Sequence, residues 1–450
     1  MRKRAGFLLL TLIAFDVTLV EARDIIEPEK ISRVEAMQED NQIEREAEND
    51  LLKSEQYRKL RGQEKRAQLE AMKLELQRKK KKRFTEIIDY RSYYDTNFNR
   101  EPREFAKGSS GFKLIPRSIV DLGGDRITAI LDYAPSFEIS TLFPTRFDTH
   151  RTRRFGHTFS PRVEIPLGKK TFIRGNYTLS KGVKRLTTET NNTSVQTGNG
   201  VGTEIEYFMT KKFSVASEYA YSDTHLSKKD AKSGSSREHW FLTRFNYYIT
   251  PKTALFVQAG GGESLGGAGR SFASTNLRMT IGVNGRLTQK SSAYINLGVL
   301  RKNLSEEPPH IKNSTSPFLE LIYINQISPR TVINVIAGSD SENSFFAGNT
   351  AFLSQHLNIN VKQNILRKLF FLFGIGVRGN TYNANGNESA NPDESGQRKD
   401  HFINLNDGLS YELRRNITLG ISHSSSYSVS TIKASNRRDH IFALSVDIKL

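Results

Sequence analysis

The feature that most constrains this chain is a strict alternation of apolar and polar side chains, recurring in short runs from about residue 85 to the carboxyl terminus. The stretch from Pro161 to Leu179 shows the unit. Val163, Ile165 and Leu167 alternate with Arg162 and Glu164, Gly168-Lys169-Lys170 forms a tight basic turn, and Ile173, Tyr177 and Leu179 resume the alternation. Successive side chains of a strand point to opposite sheet faces, so the unit reads as a hairpin with one oily face and one polar face. Similar turns stand at Thr210-Lys211-Lys212, Thr250-Pro251-Lys252, Thr288-Gln289-Lys290, Ser328-Pro329-Arg330, Arg367-Lys368 and Arg414-Arg415-Asn416. Their spacing of about forty residues marks a repeat architecture. Short turns at one end and longer polar loops at the other are the pattern of an outer-membrane β-barrel.

Composition agrees with that reading. Only 37% of the 450 residues are hydrophobic, and no run after the first residues reaches the roughly 20 apolar positions a membrane helix needs. A barrel strand spends only every second residue on lipid, so a low apolar fraction does not exclude a membrane protein. The absence of cysteine rules out a disulfide framework and suits an oxidising, periplasmic route. The formal charge of +18 is spread over turns, loops and alternate strand positions. It forms no single stripe, which argues against a nucleic-acid partner.

Three segments follow in order. Residues 1–22 have the form of a secretory signal: Arg2, Lys3 and Arg4, an apolar middle, and Val20-Glu21-Ala22 at the cleavage position. Residues 23–84 are rich in Glu, Lys, Arg, Gln, Leu and Ala, with a thin apolar stripe through Ile43, Ala47 and Leu51 and through Leu69, Met72 and Leu76. Acids dominate the first half and bases the second, which complements a helix dipole. The expectation is a long periplasmic α-helix, coiled-coil-like, for a periplasmic partner, the cell wall or self-association through 23–83. Residues 85–450 form the barrel.

The fold class expected is an all-β transmembrane antiparallel barrel of 18 strands, with 16 as the alternative if the first hairpin stays outside the membrane. Both counts are even, as closure with both termini on one side requires. Val163, Ile205, Tyr207, Phe241, Phe245, Leu277, Ile281, Leu409 and Tyr411 fall on the lipid side of the alternation. Arg162, Glu164, Arg174, Glu204, Glu206 and Glu218 fall on the other side, as do Arg244, Arg278, Arg286, Lys362 and Glu412. A base facing lipid at mid-depth costs about 2–4 kcal/mol, so these charges are the pore-lining candidates. A wall this wide leaves an aqueous channel. The alternative for each single charge is an inward salt-bridge ladder that stiffens the wall. On the last strand Phe442, Leu444, Val446, Ile448 and Leu450 alternate to the end, resembling the signal that barrel-assembly machinery reads.

Other chemistry is weaker. His423-Ser424-Ser425-Ser426, with Asp407 or Asp447 as an orienting acid, is the one arrangement that suggests a barrel hydrolase. The run Ala259 to Gly267 lacks the Gly-Lys-Ser of a phosphate loop, and the nine histidines show no metal spacing. No metal, cofactor or enzymatic activity is expected.

Tyr93-Tyr94-Asp95-Thr96-Asn97-Phe98, the alternating stretch Ile127–Ile139, and Asp148-Thr149-His150 before Pro161-Arg162-Val163 together resemble the β-barrel porin type 2 family, from about Tyr90 to Leu450. The resemblance implies an outer-membrane barrel amid lipid and lipopolysaccharide, of a kind that in some cases accompanies exopolysaccharide export or protein sorting. The charged segment before the barrel is outside that pattern. The functional expectation is a passive channel for hydrophilic solutes, with polysaccharide as one cargo. The alternatives are a structural anchor for the helix and a barrel hydrolase.

Overall fold

The computed structural model describes residues 84–96, 108–123, 127–142, 151–185, 193–227, 234–268, 272–304, 313–343, 351–382, 398–431 and 436–450. The expected signal segment and charged helical segment, residues 1–83, lie outside them.

The described chain is one antiparallel sheet. Its first strands are β1 (Phe84–Asp95), β2 (Ser109–Asp121), β3 (Thr128–Leu142), β4 (Arg151–Phe159), β5 (Arg162–Leu167), β6 (Thr171–Arg185) and β7 (Thr193–Phe208). Then come β8 (Phe213–Ser227), β9 (Gly234–Thr250), β10 (Thr253–Ala268), β11 (Phe272–Arg286), β12 (Ser291–Leu304) and β13 (Ser314–Ser328). The wall finishes with β14 (Thr331–Asn343), β15 (Ala351–Leu366), β16 (Leu369–Tyr382), β17 (Lys399–Arg414), β18 (Ile417–Ser430) and β19 (Arg437–Lys449). Apart from β4 and β5, which both pair with β3 and β6, each strand pairs with its sequence neighbours, and β1 pairs with both β2 and β19, so the sheet closes on itself. Closure leaves no unpaired edge, which is the condition for a sheet to cross a bilayer.

Strands β4 and β5 are two halves of one wall strand. Phe159 sits opposite Tyr133 and Leu179, and Val163 sits opposite Ala129 and Gly175, in an unbroken register. Ser160-Pro161 interrupts the ladder there, because proline brings no N–H. The flanking bonds survive: Ser160 N donates to Asp132 O at 2.8 Å, and Tyr177 N to Pro161 O at 3.0 Å. The nineteen segments therefore make eighteen wall positions. The first hairpin, β1 and β2, belongs to the wall, so the sixteen-strand alternative does not hold.

The turn end is built by one repeated device. Thr210 Oγ1 accepts from the backbone N–H of Lys212 and of Phe213, each at 3.1 Å. Thr250, Thr288 and Ser328 do the same for Lys252, Lys290 and Arg330 at 3.1–3.2 Å. A hydroxyl that mimics a backbone acceptor fixes a tight turn, which is why Thr or Ser opens each of these basic turns.

Alternation sorts the side chains. One face carries rows of exposed apolar groups, among them Ile205, Phe241, Phe245, Leu277, Ile281 and Leu409. The other carries the shielded polar and charged groups and, near the turn end of β10–β14, an apolar cluster of Phe256, Tyr294, Ile322 and Ile324 with Val332. In a closed wall the shielded face is the lumen.

Candidate functional site: the lumen wall

Strands β5–β9 hold a charged network that follows from cross-strand register. Arg174 lies directly opposite Glu164 on one side and Glu204 on the other. Its guanidinium reaches Glu164 at 3.1 Å, Glu204 at 2.5 Å and Glu206 at 3.0 Å. Arg244 meets the second oxygen of Glu204 at 2.8 Å. Glu206 also accepts from the hydroxyls of Ser214 at 2.8 Å and Tyr248 at 3.0 Å, and Asn246 donates to Ser214 at 2.9 Å. Opposite charges at adjacent rungs neutralise one another, so this wall presents a paired network rather than a field of one sign.

Further pairs stand toward the loop end. Arg378 donates to Ser354 and Glu342, and Arg398 pairs with Asp400 at 2.8 Å. On β1–β4, Tyr93 donates to Glu138 at 2.6 Å, and Arg117 and Asp132 pair at 2.7 Å.

Between these charged groups lies a neutral band. On β15–β18 two rows run side by side across four strands. Asn358, Gly376, Asn404 and Ser426 are mutual neighbours in the first row. Asn360, Gly374, Asn406 and Ser424 form the second. The glycines make room for the neighbouring amides: a Cβ at Gly376 would meet Asn358 Oδ1, and one at Gly374 would meet Asn360 Oδ1. The asparagine amides thus lie across the glycine backbone, giving a smooth lane of amide and hydroxyl groups without charge.

All the pore-lining candidates named from sequence fall on the lumen parity, but they do not form one site. Glu164, Arg174, Glu204, Glu206 and Arg244 share the network above. Arg162 precedes Glu164 on β5, and Glu218 sits across from Glu204 and Leu242. Arg278 lies between the rings of Trp240 and Phe318, at 5.0 and 4.7 Å. Arg286 donates to the carbonyls of Thr288 and Gln289 and clasps its own turn. Lys362 lies half-buried over the ring of Phe370, and Glu412 is buried at the turn end of β17. Tyr248, Ser214, Asn246, Arg378 and both neutral rows escaped the sequence reading; their lumen parity was legible, their alignment in rows was not.

The terminal alternation Phe442, Leu444, Val446, Ile448 and Leu450 runs along the outer face of β19, which pairs with β1. Asp407 and His423 do meet, at 3.0 Å, but on the outer face, whereas Ser424 and Ser426 point to the lumen. Both ring nitrogens of His423 are engaged, by Asp407 and by His440, leaving none for Ser425. Asp447 is on the lumen face of β19, away from His423. Among the described residues no group of three or more His, Asp or Glu is placed to hold a metal ion.

A closed wall of antiparallel strands, apolar outside and polar within, defines a porin-like outer-membrane barrel. Residues 174–450 match the family described as Putative beta-barrel porin 2, and the chain belongs to that family. The match begins at Arg174, so it rests on the repeats from β6 onward and not on the stretches around Tyr93 or Asp148. No curated protein matches the chain. Among solved structures it is similar to the FrpB iron transporter from Neisseria meningitidis, with TM-score 0.43 and 9% identity over 79% of this chain and 63% of that one. It is also similar to the outer membrane protein opdK from Pseudomonas aeruginosa, with TM-score 0.41 and 10% identity over 82% and 99%. The siderophore receptor PirA from Acinetobacter baumannii gives TM-score 0.40 and 8% identity over 82% and 81%. At such identities the cargoes of those proteins have no bearing on this chain.

Proposed function

We propose that the barrel is a passive conduit for hydrophilic solutes and that neutral, polyhydroxylated molecules, polysaccharide among them, are its fitting cargo. The observation that carries this reading is the pair of Asn-Gly-Asn-Ser rows on β15–β18. Amide and hydroxyl groups exchange hydrogen bonds with sugar hydroxyls at little net cost, and the glycines let the amides lie flat so that the lane stays smooth. The charges opposite are largely committed to each other, which keeps electrostatic selection weak. A wall of this circumference supports a water-filled bore.

Planar-bilayer recordings of the full chain test the reading. Stepwise current is expected, with partial block by maltodextrins used as neutral probes. Substituting Asn404→Leu and Ser424→Leu together should weaken that block by about tenfold, with little change in potassium chloride conductance. Absence of current steps at every potential removes the conduit; block that ignores both substitutions removes the sugar lane.

A further inference from the structure

The outer face of a membrane barrel is apolar through the middle of its belt, because a charge there lacks water to solvate it. Strands β17–β19 depart from this rule. Outward positions on β17 read Ile403, Leu405, Asp407, Leu409 and Tyr411, so a carboxylate stands among apolar side chains toward both ends. Asp407 lies directly across from His423, and Asp407 Oδ1 is 3.0 Å from His423 Nδ1. His423 Nε2 is 3.2 Å from His440 Nδ1, and Arg438 Nε donates to His440 Nε2 at 2.9 Å. One placement of the ring protons satisfies every link: Arg438 donates to neutral His440, His440 to neutral His423, and His423 to the Asp407 carboxylate. Arg438 also covers the ring of Tyr427, and His423 stacks on Phe442. A polar chain therefore crosses three strands, with its acid on β17 and its cation on β19. It is not sealed off, since the Asp407 side chain keeps 42% of its exposure.

We propose that this face is where two copies of the chain meet, related by a two-fold axis along the membrane normal beside β18. Such a contact is isologous: the same patch faces itself. With columns ordered β17, β18, β19 around one wall, half a turn sets the β17 column of one copy against the β19 column of the other. Each Asp407 column then faces a column of His440 and Arg438, and the β18 columns face each other. The patch is complementary in charge to itself under that one operation, and lipid tails offer it nothing comparable. Ser425, small and outward on β18, lets the two walls approach.

The chain contains no cysteine, so a single introduced thiol reports unambiguously. Ile421→Cys places one on β18 beside the axis, and Leu277→Cys places one on the exposed apolar face of β11, away from the patch. In oxidised outer membranes containing the full chain, the first should give a disulfide-linked dimer and the second should not. Adding Asp407→Asn to Ile421→Cys should lower the linked fraction severalfold and shift the detergent-solubilised protein from dimer to monomer in sedimentation. Heat-modifiable gel mobility confirms that each variant has closed its barrel. The proposal is overturned by absence of the Ile421→Cys dimer in closed barrels, by equal linkage at both sites, or by an Asp407→Asn protein that remains dimeric. A monomer holding lipopolysaccharide on this face overturns it equally.

Discussion

Replacing Arg174 with glutamine removes the hub of the charged wall while keeping a side chain of similar shape. Three ionic contacts disappear, to Glu164, Glu204 and Glu206. They are unequal. Arg174 and Glu164 are both more than a third exposed, and a pair of that kind contributes only about 0–1 kcal/mol. Glu204 and Glu206 are 12% and 6% exposed, so losing their cation leaves shielded carboxylates. Stripping a buried charge of its only partner costs about 3–5 kcal/mol. Neither is stripped entirely: Glu204 keeps Arg244, and Glu206 keeps the hydroxyls of Ser214 and Tyr248. The lumen also admits water to the vacated space. The expected destabilisation of Arg174→Gln is therefore about 1–3 kcal/mol. Urea titration of the barrel in vesicles reads it as a lower midpoint at constant slope. The same variant should shift the reversal potential in a salt gradient toward cation selectivity, since carboxylates lose their counter-charge. Arg174→Gln and Arg244→Gln together should be non-additive, because both act on Glu204. An unchanged midpoint with an unchanged reversal potential would refute the claim that this network braces the wall and balances its field.

Two further outcomes follow from geometry and chain order. Gly285 has φ +137° and a Cβ there would lie 2.0 Å from Lys252 O, whereas a Cβ at Gly376 meets only the mobile Asn358 amide. Gly285→Ala should cost about 1–3 kcal/mol by urea midpoint and Gly376→Ala about 1 kcal/mol or less. Deleting residues 23–83 while retaining residues 1–22 should leave barrel conductance and heat-modifiability intact; loss of the conducting, heat-modifiable form would show that the segment is part of the pore.

Local rules wrote most of the wall. Period-two alternation sends Ile205 and Tyr207 to lipid and Glu204 and Glu206 to the lumen without any knowledge of neighbours. Turn chemistry is equally local, since a threonine hydroxyl closes Thr210-Lys211-Lys212 from within. Register is different. The alignment of Asn358, Gly376, Asn404 and Ser426 depends on how far each strand slides along the next, and closure of the whole sheet decides that. Asp407 shows both sides of the division. The parity that sends Leu409 and Tyr411 outward carries Asp407 with them, so its place was readable. Its link through His423 to His440 was not, because it needs three strands in register. The break at Ser160-Pro161 was likewise hidden inside a strand whose alternation runs through it.

The pairing of β1 with β19 sets the order in which the molecule can be made. Leu450 N donates to Glu86 O and Thr96 N to His440 O along this seam, so the first strand of the wall waits for the nineteenth. Until then the chain is an open ribbon with two sticky margins, and any stall in export exposes both to other nascent chains. Completion is a single late event, and the hydrogen bonds of that seam are the last to zip and the natural first place to tear.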